Sequence, residues 1–484
     1  MNSRKSRRTF LSDVGMGCAG LALGSLLMRD GIVRGEEGNA LAQHPAKAKS
    51  VIWIFLVGGM SQMESFDPKP ELTKYGGKTF EETPYKDALN SPHLKKNLRE
   101  VIEGLHKVHP KIYPMQVGFK KYGQSGLAMS DWWSNLGKMA DDFCLVRGMW
   151  TTDNNHGAQL QFHTGRHSLE GPFPTIGSWV HWGLGSLNDN LPQFVVMGTP
   201  IADCCGGVGA HGANYLGPKH DGVQLAVDPA NPLPFGVRPK GVLPIEQKNE
   251  FSFIDRLNRL AAVEYPDDEQ LQARIKSYEL AFRMQMSAPE VLNLSEETRD
   301  VERLYGIDQE VTAVYGRRLL AARRLAERGV RFTLVYLSDY GEWDSHSNIK
   351  ELHAKSCARV DKPLAGLIID LKQRGMLDDT LVVCATEFGR TPALEITSLN
   401  KAGTGRDHHP HGFTVWMAGG GLKQGCIHGA TDEFGFHAVE HPHYVTDIHS
   451  TVLHQLGLEP HRLAVPGRQR LEIDYGRVIK EILA

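Results

Sequence analysis

The chain has 484 residues, 41% of them hydrophobic and 23% charged, with a formal net charge of -2. That composition is ordinary for a globular protein, and the length suffices to bury a core without disulfide staples. Near-neutral charge, with no basic stripe interleaved with aromatics, gives nucleic acid no place among the expected partners.

From the amino terminus, the first feature is a targeting segment. Ser6-Arg7-Arg8-Thr9-Phe10-Leu11 is a twin-arginine pattern ahead of an apolar run at 14–28 that glycines interrupt. That run is too short and glycine-rich for a comfortable membrane span. Residues 1–40 are therefore expected to be a removable signal and linker, with no stable membrane span. The protein is expected to be exported folded, to the periplasm or beyond the cell. Of the seven cysteines, Cys18 would leave with the signal. No C-x-x-C spacing occurs, so a zinc ribbon is not expected. The adjacent Cys204 and Cys205 are candidates for bridging elsewhere, with buried free thiols as the equal alternative.

Residues 46–484 are expected to form one domain. Residues 51–57 are a continuous apolar, β-branched run that stops at Gly58-Gly59. Similar runs lie at 330–337, 381–385 and 413–418, the last closed by Gly419-Gly420-Gly421. Continuous runs of this kind suit strands buried on both faces of a parallel sheet. Helical spacing appears at 267–287, 297–328, 352–374 and 447–456, with Asp447 placed to cap the last. Strands alternating with helices predict an α/β fold with a mostly parallel, doubly wound sheet and helices on both faces. The Gly-, Pro- and Lys-rich stretches near 68–130 and 198–260 read as insertions over that sheet.

Catalytic groups of an open parallel sheet gather at the carboxyl ends of its strands. After the first run come Ser61, Glu64 and Asp67, all oxygen donors, with Asp67 before Pro68 equally suited to a turn. After the second come Asp344 and His346, an Asp-x-His that would present oxygen and nitrogen to one cation. After the third come Glu387 and Arg390, a potential ligand and an oxyanion clamp, or else a salt bridge. Ahead of the fourth stand Asp407, His408, His409 and His411 within five residues, the densest set of ligand types in the chain. Imidazole suits zinc, iron, nickel or copper better than magnesium. Thr152, His156 and Arg166 belong to a further polar stretch; His156 or a nearby Thr would be nucleophile or base, and Arg166 or Arg390 would steady the transition state.

Taken together, these motifs place the chain by resemblance. The pieces at 58–70, 278–285, 323–332, 343–346, 378–392, 405–421 and 447–458 resemble, in order, the bacterial "domain of unknown function" 1501 family. That family is placed with the alkaline phosphatase-like superfamily of phosphatases, sulfatases and phosphomutases. The resemblance implies a metal site at strand ends, holding a divalent ion: zinc first, then manganese, iron or calcium. It implies metal ligands at Glu64 or Asp67, at Asp344 and His346, at Glu387, and among His408, His409 and His411. Phe388 stands where the superfamily has a histidine ligand. No Cys-x-Pro-x-Arg is present, which argues against a formylglycine sulfatase. The expected activity is hydrolysis of a small anionic ester, or of a sulfated or phosphorylated glycan. The alternative is an exported binding protein that keeps the fold without turnover.

Overall fold

The computed structural model describes residues 42–484 apart from 91–108, 201–204, 229–240, 242, 265–274, 276–279, 281–282, 285–286, 340, 397–402 and 472–475. The twin-arginine segment, Cys204 and most of the helix expected at 267–287 lie outside the described residues. The strands, in chain order, begin with β1 (Ser50–Phe55) and the hairpin of β2 (Phe119–Tyr122) and β3 (Leu127–Ser130). There follow β4 (Phe143–Trp150), β5 (Phe194–Met197), β6 (Val223–Gln224), β7 (Phe332–Tyr336), β8 (Thr380–Ala385), β9 (Gly389–Arg390) and β10 (His408–His409). The last are β11 (Phe413–Ala418), β12 (Cys426–His428), β13 (Ala430–Thr431), β14 (Ala438–Glu440) and β15 (His443–Tyr444).

The main sheet runs β12-β4-β11-β8-β1-β7-β5-β6, with β15 also paired to β4. Its pairs are parallel except those that β11 makes with β4 and β8. The expected mostly parallel sheet is present. Alternate residues of β1 serve two cores, as the period of a strand requires. Ile52 and Ile54 pack with Leu319, Leu320, Leu364 and Leu367, from the helices Glu310–Glu327 and Ile349–Gln373. Val51, Trp53 and Phe55 pack with Val180, Phe162 and Val452, from the helices Ile176–Leu184, Ala158–Thr164 and Val445–Gln455. Helices therefore cover both faces, which is why β1 is apolar at every position rather than at every second one.

Three local departures have physical causes. The helix expected over 297–328 is two, Arg299–Leu304 and Glu310–Glu327, because Gly306 turns the chain at φ +69 between them. Asp447 is not a cap: Tyr444 precedes the last helix, and the Asp447 carboxylate takes His443 Nδ1 at 2.7 Å and Arg477 Nε at 3.3 Å. Cys144 of β4 is bridged to Cys426 of β12, while Cys357 and Cys384 are buried free thiols. No helix among the described residues is long and apolar enough to cross a membrane.

Candidate metal centre

The registers of the central strands decide what meets above the sheet. Phe55 lies level with both Tyr336 and Ala385, so the chain leaves β1, β7 and β8 at one edge. β4 leaves at the same edge, and its continuation carries His156. β11 runs the other way, with Phe413 opposite Met149, so its approach rather than its exit sits there. That approach carries Asp407 and His408. Five loops distant in sequence thus converge.

Glycine makes the convergence close. Gly58 has φ +123, and a Cβ there would stand 2.6 Å from the Asp344 amide nitrogen. Gly59 has φ +87, and a Cβ there would lie 2.4 Å from the Phe388 ring. Any other residue at either position would push the Asp344 loop or Phe388 away.

Asp344 is the hub. Its Oδ1 lies 2.9 Å from His408 Nε2, 3.0 Å from His346 Nε2 and 2.7 Å from Arg390 Nη2. Its Oδ2 lies 3.2 Å from His156 Nε2. The two nearest imidazoles have their tautomers fixed from outside. His408 Nδ1 donates to the Asn154 carbonyl at 2.9 Å, and His346 Nδ1 donates to Glu395 at 2.7 Å. Both Nε2 atoms, 3.1 Å apart, therefore turn towards Asp344. Histidine ligands of metals are oriented in this way, with the far ring nitrogen donated to a carbonyl or carboxylate. The donor set is imidazole with carboxylate, which fits zinc, iron or manganese. His156, Asp344 and His408 present ligand atoms within 4.8 Å of one another, as do His346, Asp407 and His408. His156 and His408 are buried, while the side chains of Asp344 and His346 keep 20% and 32% exposure, so the centre opens on one side.

Charge follows this geometry. Burial opposes ionisation of Asp344, but Arg390 and the three imidazoles outweigh it and hold the carboxyl far below its usual range. His156 also has Glu387 Oε1 at 3.2 Å from Nδ1. Burial works against its charge, yet its bonds to Asp344 and Glu387 raise it to about 9, so without a metal it is a cation between two carboxylates. Burial pushes His408 well below the ordinary histidine value and keeps it neutral.

Several expected site residues are placed elsewhere. Glu64 is fully buried and gripped by Arg406, at 2.8 Å from Nη2 and 3.1 Å from Nε, with Ser61 Oγ as a further donor. Asp67 pairs with Lys69 at 3.1 Å and accepts from Thr431. Both carboxylates tie loops together and neither faces Asp344. Arg166 pairs with Glu170 at 3.0 Å on a partly exposed turn, away from the centre. Arg390 is at the centre, but its guanidinium is spent on the carbonyls of Gly58, Gly59, Trp343 and Arg406 as well as on Asp344. It fixes the hub instead of reaching outward. Thr152 accepts from Gln161 Nε2 at 2.7 Å, part of the polar web that holds the turn before His156. His409 and His411 point to a separate group with His437. Glu387 reaches the centre only through His156 and the Gly58 amide, which donates to it at 2.8 Å.

Sequence reading missed Glu395 and Arg406 as positioning groups and His437 as a partner of the second histidine set. Nothing in their spacing marks them, because each meets its partner only when loops fold back over the sheet. Phe388 is fully buried and packs its ring 4.3 Å from that of His408. It supplies an apolar wall beside the imidazoles, in keeping with the expectation that no ligand comes from this position.

No curated protein matches the chain significantly. Among solved structures it is similar to the PsFucS1 sulfatase from Pseudoalteromonas sp., at 12% identity and TM-score 0.35, over 95% of this chain and 76% of that one. It is similar to the phosphonate monoester hydrolase SpPMH from Silicibacter pomeroyi, at 12% identity and TM-score 0.33, over 72% and 71% of the two chains. It is also similar to alkaline phosphatase from the Antarctic bacterium TAB5, at 12% identity and TM-score 0.29, over 85% and 98%. Likenesses this distant establish no chemistry for this chain. The model of one family matches residues 48–483, nearly everything after the expected signal, and the chain belongs to that family, "Protein of unknown function (DUF1501)".

Proposed function

We propose that the protein is an exported, metal-dependent hydrolase of small phosphate or sulfate esters, sulfated or phosphorylated glycans included. One observation carries the metal half of this reading. His346 and His408 are held by outer hydrogen bonds so that both Nε2 atoms meet Asp344 Oδ1, on the open side of a buried cluster. Asp344, His408 and, once deprotonated, His156 and His346 would hold the ion, with Asp407 close behind. A divalent ion there supplies a Lewis acid for an anionic ester and favours loss of a proton from water. Arg390 keeps Asp344 ionised and aimed, Glu395 holds the His346 tautomer, and Phe388 excludes water behind His408. The ester half of the reading rests on the motif resemblance to the alkaline phosphatase-like superfamily. Export is supported by the Cys144–Cys426 disulfide, because such bonds persist in oxidising compartments.

Metal analysis of the purified mature protein, followed by a phosphatase and sulfatase ester screen, tests the reading. Ester turnover and the ion bound at the Asp344 centre are both expected to vanish in Asp344→Asn. Protein that takes up no divalent ion and turns over no ester ends it. A second reading, a binding protein without turnover, is favoured by Phe388 in place of a ligand and by an Arg390 already engaged. It predicts ion and ligand binding with no product formed.

A further inference from the structure

β10 carries two adjacent histidines, and successive side chains of a strand point to opposite sides. His408 turns to Asp344. His409 turns the other way and meets His411 and His437, all three no more than 4% exposed. One ring nitrogen from each lies within 4.8 Å of the other two. We propose that His409, His411 and His437 form a second metal site, distinct from the Asp344 centre, that holds a late first-row ion such as zinc or copper in a structural role.

The local chemistry supports this in three ways. The His409 Nε2–H donates to the Phe436 carbonyl, which leaves Nδ1 as the ligating atom of a neutral ring. Its ring also stacks on Phe436, centroids 4.1 Å apart and planes at 13°, which fixes its direction. The loop presenting His437 is pre-set: the Asp432 carboxylate accepts from the amides of Phe434, Phe436 and His437 at 3.0, 2.9 and 2.7 Å. The Ala438 amide then donates to the His411 carbonyl at 2.8 Å, locking two of the three ligand-bearing segments side by side.

Zinc–nitrogen bonds of about 2.1 Å would set tetrahedral partners roughly 3.4 Å apart, so modest ring rotations suffice. Three neutral nitrogens and no carboxylate select zinc, copper or nickel over magnesium or calcium. Burying three imidazoles together costs more than burying apolar rings of the same size, and an ion between them would offset that cost. Three protein ligands leave the fourth position to a water, but burial of all three rings keeps a substrate from that position, and an ion that no substrate reaches is structural. The ion would fasten the 432–437 loop, and with it Phe434 and the small core of Met63, Leu72 and Phe80, to the strand that delivers His408.

The test uses the full chain carrying Asp344→Asn and His346→Ala, which leaves at most two imidazoles at the first centre. Chelator-stripped protein is titrated with zinc, and bound ion is counted by mass spectrometry after gel filtration. One equivalent is expected, and none after adding His437→Ala. X-ray absorption of the zinc-loaded double variant should show three imidazole ligands, a readout that does not require the triple variant to fold. No uptake by the double variant, equal uptake with and without His437, or fewer than three imidazoles overturns the proposal. The result is independent of ester turnover, so it stands or falls apart from the hydrolase reading.

Discussion

Glu64 and Asp344 are both carboxylates delivered from a strand end of the same sheet, and each has an arginine beside it. Glu64 is fully buried, and Arg406 meets it edge on, with both charges cancelled inside the protein. Asp344 keeps 20% exposure, and Arg390 takes only one side of it while three imidazoles take the rest. The first arrangement is closed and can only fasten loops. The second aims imidazole nitrogens at the carboxylate from an open side, and a cation can take the place of the protons that His156 and His346 hold there. Position at a strand end is common to both; the identity of the partners separates them.

The largest expected effect would break the comparison from the Glu64 side. Glu64→Ala leaves the Arg406 charge buried and unpaired, and removal of one member of a buried ion pair costs about 3–5 kcal/mol. Denaturant unfolding should show that loss, while metal bound per folded molecule should not change. A variant that keeps wild-type stability, or that loses metal instead, would show that Glu64 belongs to the centre.

From the other side, Asp344→Asn removes the hub's charge. Zinc affinity should fall on the order of a hundredfold or more, beyond the ten- to hundredfold typical of outer-shell changes. Competition with a chromophoric chelator measures it, and unaltered affinity would remove Asp344 from the ligand set. Glu395→Gln sharpens the contrast further. It keeps size and a hydrogen bond to His346 Nδ1 but drops the charge, so affinity should fall by about tenfold to a hundredfold with little change in unfolding. An effect equal to that of Asp344→Asn would mean that Glu395 is itself a ligand.

How much of this was legible in the sequence follows from the same contrast. The four apolar runs gave β1, β7, β8 and β11 because strands buried on both faces need no polar residues. β4 escaped notice because Arg147 and Gly148 interrupt its run, and β5 because four residues are too few to stand out. Asp344, His346 and His408 were readable from ligand types clustered after or before those runs. Glu64 looked equivalent, since the arginine that closes it lies 342 residues away. Glu395 and His437 were invisible for a related reason: a carboxylate behind His346 and a third histidine beside His409 and His411 gain meaning only from loops that return across the sheet edge.

The contrast recurs within one short segment, where it gives the smallest expected effect. His156 and His163 are seven residues apart in sequence. The first lies between two carboxylates and is raised to about 9. The second packs among aromatic rings, 4.6 Å from Phe55 and 5.9 Å from Tyr336, and burial, then the nearby His449 and His211, lower it to about 3. Its folded value therefore lies below the unfolded value of about 6.5. The unfolded chain binds a proton that the folded one refuses, so His163 costs nothing above pH 6.5. Stability is lost as pH falls below it, by about 1.4 kcal/mol per pH unit for this group. His163→Phe preserves the ring packing and removes the titration. Unfolding free energies between pH 6 and 4 should fall less steeply in His163→Phe than in the wild type, by one proton's worth of slope. Identical slopes would mean that His163 is already charged in the fold, and that the aromatic cage does not exclude charge as the carboxylate pair around His156 admits it.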